Sequence, residues 1–402
     1  MRTYSKITPE GVRDILFEEC RAHREVQRRL TQAFSLRGYQ EVITPGLEYY
    51  DVFSIPGAAI PQREMYKTTD NRGRLVVFRP DSTLPIARMA TSRLQSHKKP
   101  LRLFYNQNVY RNRPDLSGRN DESAQMGIEL IGAPGLRADL EAISVAAQAL
   151  SDCAPGFRME VGHAGFFQAL ADKLPLSPDK KEELRVAIEL KNYAALEGLL
   201  EPLGHDPAAQ AMRRLPRLFG GEEALEEARQ WCGSGEAGET LGYLRALYGA
   251  LQNLGLGDRL MVDLGLVQRN DYYTGVVFSA YVPRHGSAVL MGGRYDALCG
   301  KFGEPMPAVG FAVDVDACAR LLGGYIGGRP APRVLVYGEP GYEIQAENSV
   351  SNLTRQGVPC ELSLWDGWEE SLAYAQELGI SKLLRVGETV TELQLTEEEG
   401  NP

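Results

Sequence analysis

The chain has 402 residues, 43% of them hydrophobic and 24% charged, with a formal net charge of −9. That length suits two or three domains with substantial cores. The acidic balance argues against broad nucleic-acid binding, which needs Lys and Arg to displace counterions from phosphates. Six cysteines stand without CxxC spacing and five histidines are scattered. They read as reduced thiols and isolated imidazoles, so neither a disulfide frame nor a metal centre is expected, and no cofactor. No apolar segment follows the N-terminus and no run of about 18 apolar residues occurs, which predicts a cytoplasmic protein without a membrane span.

In chain order, residues 8–40 read as one long helix from Thr8-Pro9-Glu10-Gly11, stopped by Gly38. Residues 39–45 read as a strand ended by Pro45. Asp70-Asn71-Arg72-Gly73 has hairpin-turn composition between Met65-Tyr66-Lys67 and Leu75-Val76-Val77-Phe78. Further strands are expected at 101–112, 125–132, 261–268, 274–282 and 287–291. Between about 165 and 257 the pattern turns helical. Ser177-Pro178 forms an N-cap and first-turn pair, and Glu222 to Trp231 reads as another helix. Gly323-Gly324 through Pro332 reads as a linker. Beyond it, alternating apolar strands and helical stretches predict a small α/β unit over 333–402, with a frayed acidic tail.

Four segments place polar groups beside strands. They are Arg79-Pro80-Asp81-Ser82-Thr83, Arg111, the pair Gln125 and Glu129, and Tyr272-Tyr273 before Thr274-Gly275. Even spacing puts Gln125 and Glu129 on one strand face. Arg for a carboxylate, with acids and hydroxyls for an ammonium, could hold a zwitterion. The same residues also suit surface salt bridges and turns.

From Thr8 to about Leu322 the chain resembles the class II core of histidyl-tRNA synthetases. Gly38-Tyr39-Gln40-Glu41-Val42-Ile43-Thr44-Pro45 is similar to motif 1, the dimer-forming helix and strand. Arg79-Pro80-Asp81-Ser82-Thr83 resembles the family's Arg-Pro-Glu-Gly-Thr. Tyr110-Arg111 through Gln125-Met126-Gly127-Ile128-Glu129 is similar to motif 2 and its following strand. Gly292-Gly293-Arg294-Tyr295-Asp296 and Pro307-Ala308-Val309-Gly310-Phe311 resemble the approach to motif 3. The resemblance implies an α+β fold: a class II aminoacyl-tRNA synthetase-like antiparallel sheet flanked by helices. That core would span 1–325, with the helical insertion inside it and a short α/β domain after it. It also implies that Asp81, Thr83 and Gln125 face the α-amino group of a bound histidine and Arg111 its carboxylate. Glu129, Tyr272 and Tyr273 would hold the imidazole, and Tyr295 would line the pocket. An imidazole needs one donor and one acceptor, which a Glu with Tyr hydroxyls supplies.

The departures fall on the other substrate. Gln268 stands where the family has the arginine that stabilises charge as the adenylate forms; losing such a group typically costs ~10²–10³ in rate. Ala317 replaces the motif 3 arginine that grips ATP phosphates. Ser123 replaces the phenylalanine that stacks on adenine, a contact worth about 1–3 kcal/mol, and Arg113 replaces a motif 2 glutamate. The C-terminal segment resembles an anticodon-binding domain short of its last helix. Residues 333–402 carry four Lys/Arg and thirteen Asp/Glu, 4 − 13 = −9, an unsuitable surface for tRNA phosphates.

Histidine recognition without ATP or tRNA machinery resembles the regulatory subunits of ATP phosphoribosyltransferase, as does the wording Asp271-Tyr272-Tyr273-Thr274-Gly275-Val276-Val277-Phe278. That resemblance implies a non-catalytic subunit acting in the first step of histidine biosynthesis. It would form a homodimer within a hetero-oligomer containing the short-form catalytic subunit. It would activate that partner and transmit feedback inhibition by histidine, without binding tRNA. A free-standing histidine sensor and a divergent active histidyl-tRNA synthetase remain as alternatives.

Overall fold

A computed structural model describes residues 4–113, 120–232, 235–267, 272–283, 285–323 and 334–395. Contacts divide the chain into two compact units, Met1–Gly324 and Tyr325–Pro402.

The first unit opens with helix α1 (Phe17–Leu36) and strands β1 (Gln40–Glu41), β2 (Leu47–Tyr49), β3 (Lys67–Thr69) and β4 (Leu75–Phe78). Helix α2 (Thr83–Ser92) precedes the long hairpin of β5 (Leu101–Tyr110) and β6 (Glu122–Ile131). Helix α3 (Leu136–Cys153) leads to β7 (Arg158–His163). A mainly helical stretch follows: α4 (Ala164–Ala171), α5 (Pro178–Glu189), α6 (Tyr193–Leu200), α7 (Pro207–Arg214), the short β8 (Phe219–Gly220), α8 (Glu222–Cys232) and α9 (Glu236–Leu251). The chain then returns through β9 (Leu260–Asp263), β10 (Val276–Tyr281), β11 (Leu290–Arg294), β12 (Ala308–Asp314) and α10 (Val315–Gly323).

Nine strands form one sheet in the order β1-β5-β6-β12-β11-β10-β7-β9-β8. Its middle is antiparallel, while β1 pairs with β5, and β7 with β9, in parallel. This is the class II synthetase-like α+β fold, with a sheet flanked by helices. Helices α1, α3 and α10 pack on one face of the sheet. Phe34 of α1 sits there with ring centroids 5.8 Å from both Phe104 and Phe311. Each such fully buried ring contributes roughly 1.5–3 kcal/mol. The opposite face is covered by α2, whose Leu84, Ile86 and Ala87 bury against Leu103, Tyr105 and Tyr295.

Several elements differ from their expected bounds. The first helix begins at Phe17, not near residue 8, because Gly11 adopts φ +79° and its carbonyl accepts the Asp121 N–H at 2.7 Å. That bond ties the segment before α1 to Asp121, just ahead of β6. The strand expected at 39–45 is only Gln40–Glu41. Thr44 instead bonds the Gln107 side chain, and its carbonyl accepts from Arg79. The hairpin turn stands as expected: Asp70 accepts the N–H groups of Arg72 and Arg74, and Lys67 pairs with Val77. Strands 261–268 and 287–291 settle at Leu260–Asp263 and Leu290–Arg294.

In the second unit, β13 (Val334–Gly338), α11 (Glu343–Arg355), β14 (Cys360–Leu362), α12 (Trp368–Glu377), β15 (Lys382–Val386) and β16 (Val390–Gln394) form a sheet ordered β14-β13-β15-β16. The first three are mutually parallel, as βαβ crossovers require, and β16 returns antiparallel. Helix α11 buries Ala346 against Val334 and Val336. Helix α12 buries Ala375 against Leu335 and Leu383, whose side chains point to the other face.

Candidate functional site

The site grows from one face of β6. Ladder partners share a face, so Gln125, Gly127 and Glu129 lie beside Gln107, Tyr105 and Leu103 of β5 on one side. Asp314, Ala312 and Gly310 of β12 lie beside them on the other, and Gly293 of β11 pairs with Gly310. Glycines therefore line the floor of this face. A side chain on Gly293 would enter the Tyr273 ring, 2.7 Å away, and one on Gly127 would meet the Tyr105 hydroxyl at 2.7 Å. A side chain on Gly310 would overlap the Glu129 carboxylate. Gly310→Ala is accordingly expected to cost about 1–3 kcal/mol through overpacking, read as a lower melting temperature. An unchanged melting temperature would contradict the packing described.

Glu129 is the centre of the site. It is 1% exposed. The Thr83 hydroxyl donates to one of its oxygens at 2.7 Å, and the Tyr295 hydroxyl reaches the other. Burial pushes its carboxyl up to about 8, against the opposing effect of the two hydroxyls and with help from the negative charge of Asp81. At neutral pH it thus carries a proton and can act as donor or acceptor. Thr83 reaches it because α2 starts there: Asp81 accepts the Leu84 N–H at 2.9 Å and fixes the first turn. Burial raises the Asp81 carboxyl too, opposed by the charge of Arg111. Arg111 is held by its Nε bond to the Pro80 carbonyl at 2.9 Å.

Aromatic rings close the wall. Tyr272 and Tyr273 precede β10, so neighbouring side chains need not alternate. Their rings lie 5.0 Å apart, and Tyr272 meets Tyr295 edge-on at 5.9 Å. Tyr272 is raised well above its ordinary value, first by burial and then by the charges of Asp81, Tyr273 and Glu129, with Arg111 opposing. These effects bring Asp81, Glu129, Arg111 and both tyrosines into one electrostatic neighbourhood. Gln125 sits two register positions from Gly127 and four from Glu129, half-buried on the same face. Gln268 and Arg269 lie outside the described residues. Of the other departures, Ser123 shares the face of Gln125, and Ala317 is fully buried in α10.

Two features escaped sequence reasoning. Tyr105, opposite Gly127, is fully buried and senses Glu129 and Asp81. Its spacing of two from Gln107 was the available signal. Behind Tyr295 lies a buried network. Arg294 donates through Nε and Nη2 to Asp139 at 2.8 and 2.5 Å and through Nη1 to Asp296 at 2.8 Å, while the Tyr243 hydroxyl bonds Asp139. Asp139 interrupts an apolar helix face, a signal visible in sequence but without its partner. Among the described residues no group of His, Cys, Asp and Glu could hold a metal ion, and no helix is long and apolar enough to cross a membrane.

The arrangement is buried and rich in convergent donors and acceptors. It suits a small zwitterion with a planar heterocycle. Comparison with known proteins narrows this further. The histidyl-tRNA synthetase family model matches residues 11–318. A Clostridium kluyveri protein named ATP phosphoribosyltransferase regulatory subunit is 38% identical over 392 residues, covering 96% of this chain and 100% of that one. The Clostridium acetobutylicum protein of the same name is 37% identical over 400 residues, covering 98% of each. This chain belongs to the ATP phosphoribosyltransferase regulatory subunit family. Within that family, a Bacillus halodurans crystal structure described as an ATP phosphoribosyltransferase regulatory subunit/histidyl-tRNA synthetase superposes with a TM-score of 0.83 at 30% identity. It covers 94% of this chain and 97% of that one. The synthetase-like core is therefore a family inheritance.

Proposed function

We propose that this chain is the non-catalytic regulatory subunit of ATP phosphoribosyltransferase, binding histidine at the Glu129 site. It activates the short-form catalytic subunit and carries feedback inhibition by histidine to it, in the cytoplasm, as a homodimer within a hetero-oligomer and without tRNA. The observation that carries this reading is the contrast between two halves of one ancestral site. Residues matching the histidine side converge on Glu129, while Ala317 and Ser123 stand at positions that would grip ATP. The acidic C-terminal unit supports the absence of tRNA binding.

In this reading the side chains of the site have separate tasks. Asp81 and Gln125 take the ammonium, Arg111 the carboxylate, and Glu129 the imidazole, with Tyr272, Tyr273 and Tyr295 excluding water around the ring. Inhibition is a coupling free energy, typically ~1–3 kcal/mol, between this site and a catalytic site on another chain. Histidine shifts activity only if it binds the inhibited assembly more tightly than the active one.

The Glu129 pair gives a test with a definite sign. A free imidazole titrates near ~6.5, and Glu129 near about 8. The complex needs one proton between the two groups. Below ~6.5 both are protonated, so binding releases a proton and weakens as pH falls. Above about 8 neither is protonated, so binding takes up a proton and weakens as pH rises. Calorimetric histidine titrations are expected to give highest affinity between these limits. Glu129→Gln, which cannot titrate, should lose the part of the alkaline decline that Glu129 causes. Identical pH profiles for the two proteins would count against Glu129 as the imidazole partner. A divergent active synthetase would instead show histidine-dependent ATP–pyrophosphate exchange. A free-standing sensor would bind histidine yet fail to co-purify with the catalytic subunit.

A further inference from the structure

We infer that the buried Arg294–Asp139–Tyr243 network couples occupancy of the Glu129 pocket to the helical insertion, with Tyr243 as its positioning residue. The inference rests on the histidine-pocket reading above and goes beyond it by naming the element that carries the signal out.

The two ends of the network are in different parts of the first unit. At the pocket end, Arg294 directly precedes Tyr295, whose hydroxyl reaches Glu129. The Arg294 carbonyl accepts the Thr274 N–H at 2.8 Å, and the Thr274 hydroxyl accepts the Asp296 N–H at 2.9 Å. The Tyr272-Tyr273-Thr274 segment is thus tied to the same strand end. Gly275 lies close enough that a side chain there would strike Arg294 Cδ at 2.8 Å. At the far end, Tyr243 projects from α9 and bonds Asp139, the residue that Arg294 grips. The Tyr243 ring also meets His163, the N-cap of α4, edge-on at 5.8 Å. One chain of contacts therefore runs from Glu129 through Tyr295, Arg294 and Asp139 to α9 and α4.

Coupling needs an element with room to rearrange as well as a link. A solvent-open cleft of about 670 Å³ lies between the Tyr273–Thr274 segment and the insertion, lined by Gly165 and Gln168 of α4 and by Lys181 and Arg185 of α5. Besides the network, the segment and the insertion are joined by the bond from the Ala164 N–H to the Gly275 carbonyl at 2.9 Å, and elsewhere this space lies between them. When a ligand draws Tyr272, Tyr273 and Tyr295 inward, the displacement reaches α9 through Arg294 and Asp139.

The test is hydrogen–deuterium exchange on the full chain, with and without saturating L-histidine, comparing wild type, Tyr243→Phe and Tyr248→Phe. Tyr248 also sits on α9 but outside the network. Histidine is expected to slow exchange across α9 several-fold in wild type and Tyr248→Phe. In Tyr243→Phe that slowing should disappear while calorimetric affinity stays within about threefold, less than the loss of one hydrogen bond to the ligand. Thr274→Val, which removes the hydroxyl at the pocket end, should give the same uncoupling and serves if Tyr243→Phe melts early. Retained slowing in Tyr243→Phe or Thr274→Val would overturn the inference, as would histidine binding to wild type without any change in α9. Absence of histidine binding to wild type would instead sink the pocket reading, and this inference with it.

Discussion

Replacing Asp139 with alanine is expected to lower folding stability by about 3–5 kcal/mol, the cost of leaving a buried charge without its partner. Asp139 is fully buried and Arg294 nearly so. Burial pushes the Asp139 carboxyl up, and Arg294 and Tyr243 pull it back. Burial likewise lowers Arg294, but Asp139 and Asp296 hold it above its ordinary value. With contacts of 2.5 and 2.8 Å to a guanidinium that does not deprotonate, the pair is ionised. Alanine would leave Arg294 facing only the distant Ala133 and Gly135 carbonyls, both at 3.4 Å, and the half-buried Asp296 on its Nη1 side. Asp139→Asn keeps an acceptor and should lose less. Urea denaturation at neutral pH measures both. A loss of about 0.5 kcal/mol or less for alanine, typical of a surface change, would mean that the network is not a structural keystone.

The second large effect concerns the ligand. Glu129→Ala and Arg111→Ala are each expected to weaken histidine binding roughly 10–150-fold, corresponding to one charge-assisted hydrogen bond of about 1.5–3 kcal/mol. Both should relieve histidine inhibition of the transferase while leaving assembly with the catalytic subunit intact. Arg111 is anchored by a backbone carbonyl, and Glu129 by two hydroxyls, so neither is expected to hold the sheet together. Inhibition curves that superpose on wild type for both variants would show that histidine acts elsewhere, for example at a subunit interface, and that this pocket is vestigial.

Much of the fold was legible because it is carried by local signals. The Asp70–Gly73 turn dictates a hairpin through its own side chain, and the α/β alternation after residue 333 follows from apolar runs of strand length. Motif order supplied the class II architecture, which periodicity alone could not. What escaped was decided at a distance. Residues 8–16 read as helix in the sequence, but Gly11 is pinned by Asp121, just ahead of β6, and no local pattern records that bond. Helices α2 and α3 were not foreseen because their positions depend on what covers the sheet. At the site, residue types pointed to a polar pocket, yet the glycine floor needs the ladder register to be seen. Gly127, Gly293 and Gly310 are far apart in sequence and meet only through strand pairing. The protonated state of Glu129 likewise follows from burial that only packing creates.

The most direct measurement is phosphoribosyl-ATP formation by the short-form catalytic subunit from the same organism, with and without this chain, across a histidine titration. Activation by the chain, followed by its reversal as histidine is added, is the expected result. Catalytic activity that neither rises on addition of the chain nor falls with histidine in its presence would contradict the regulatory role.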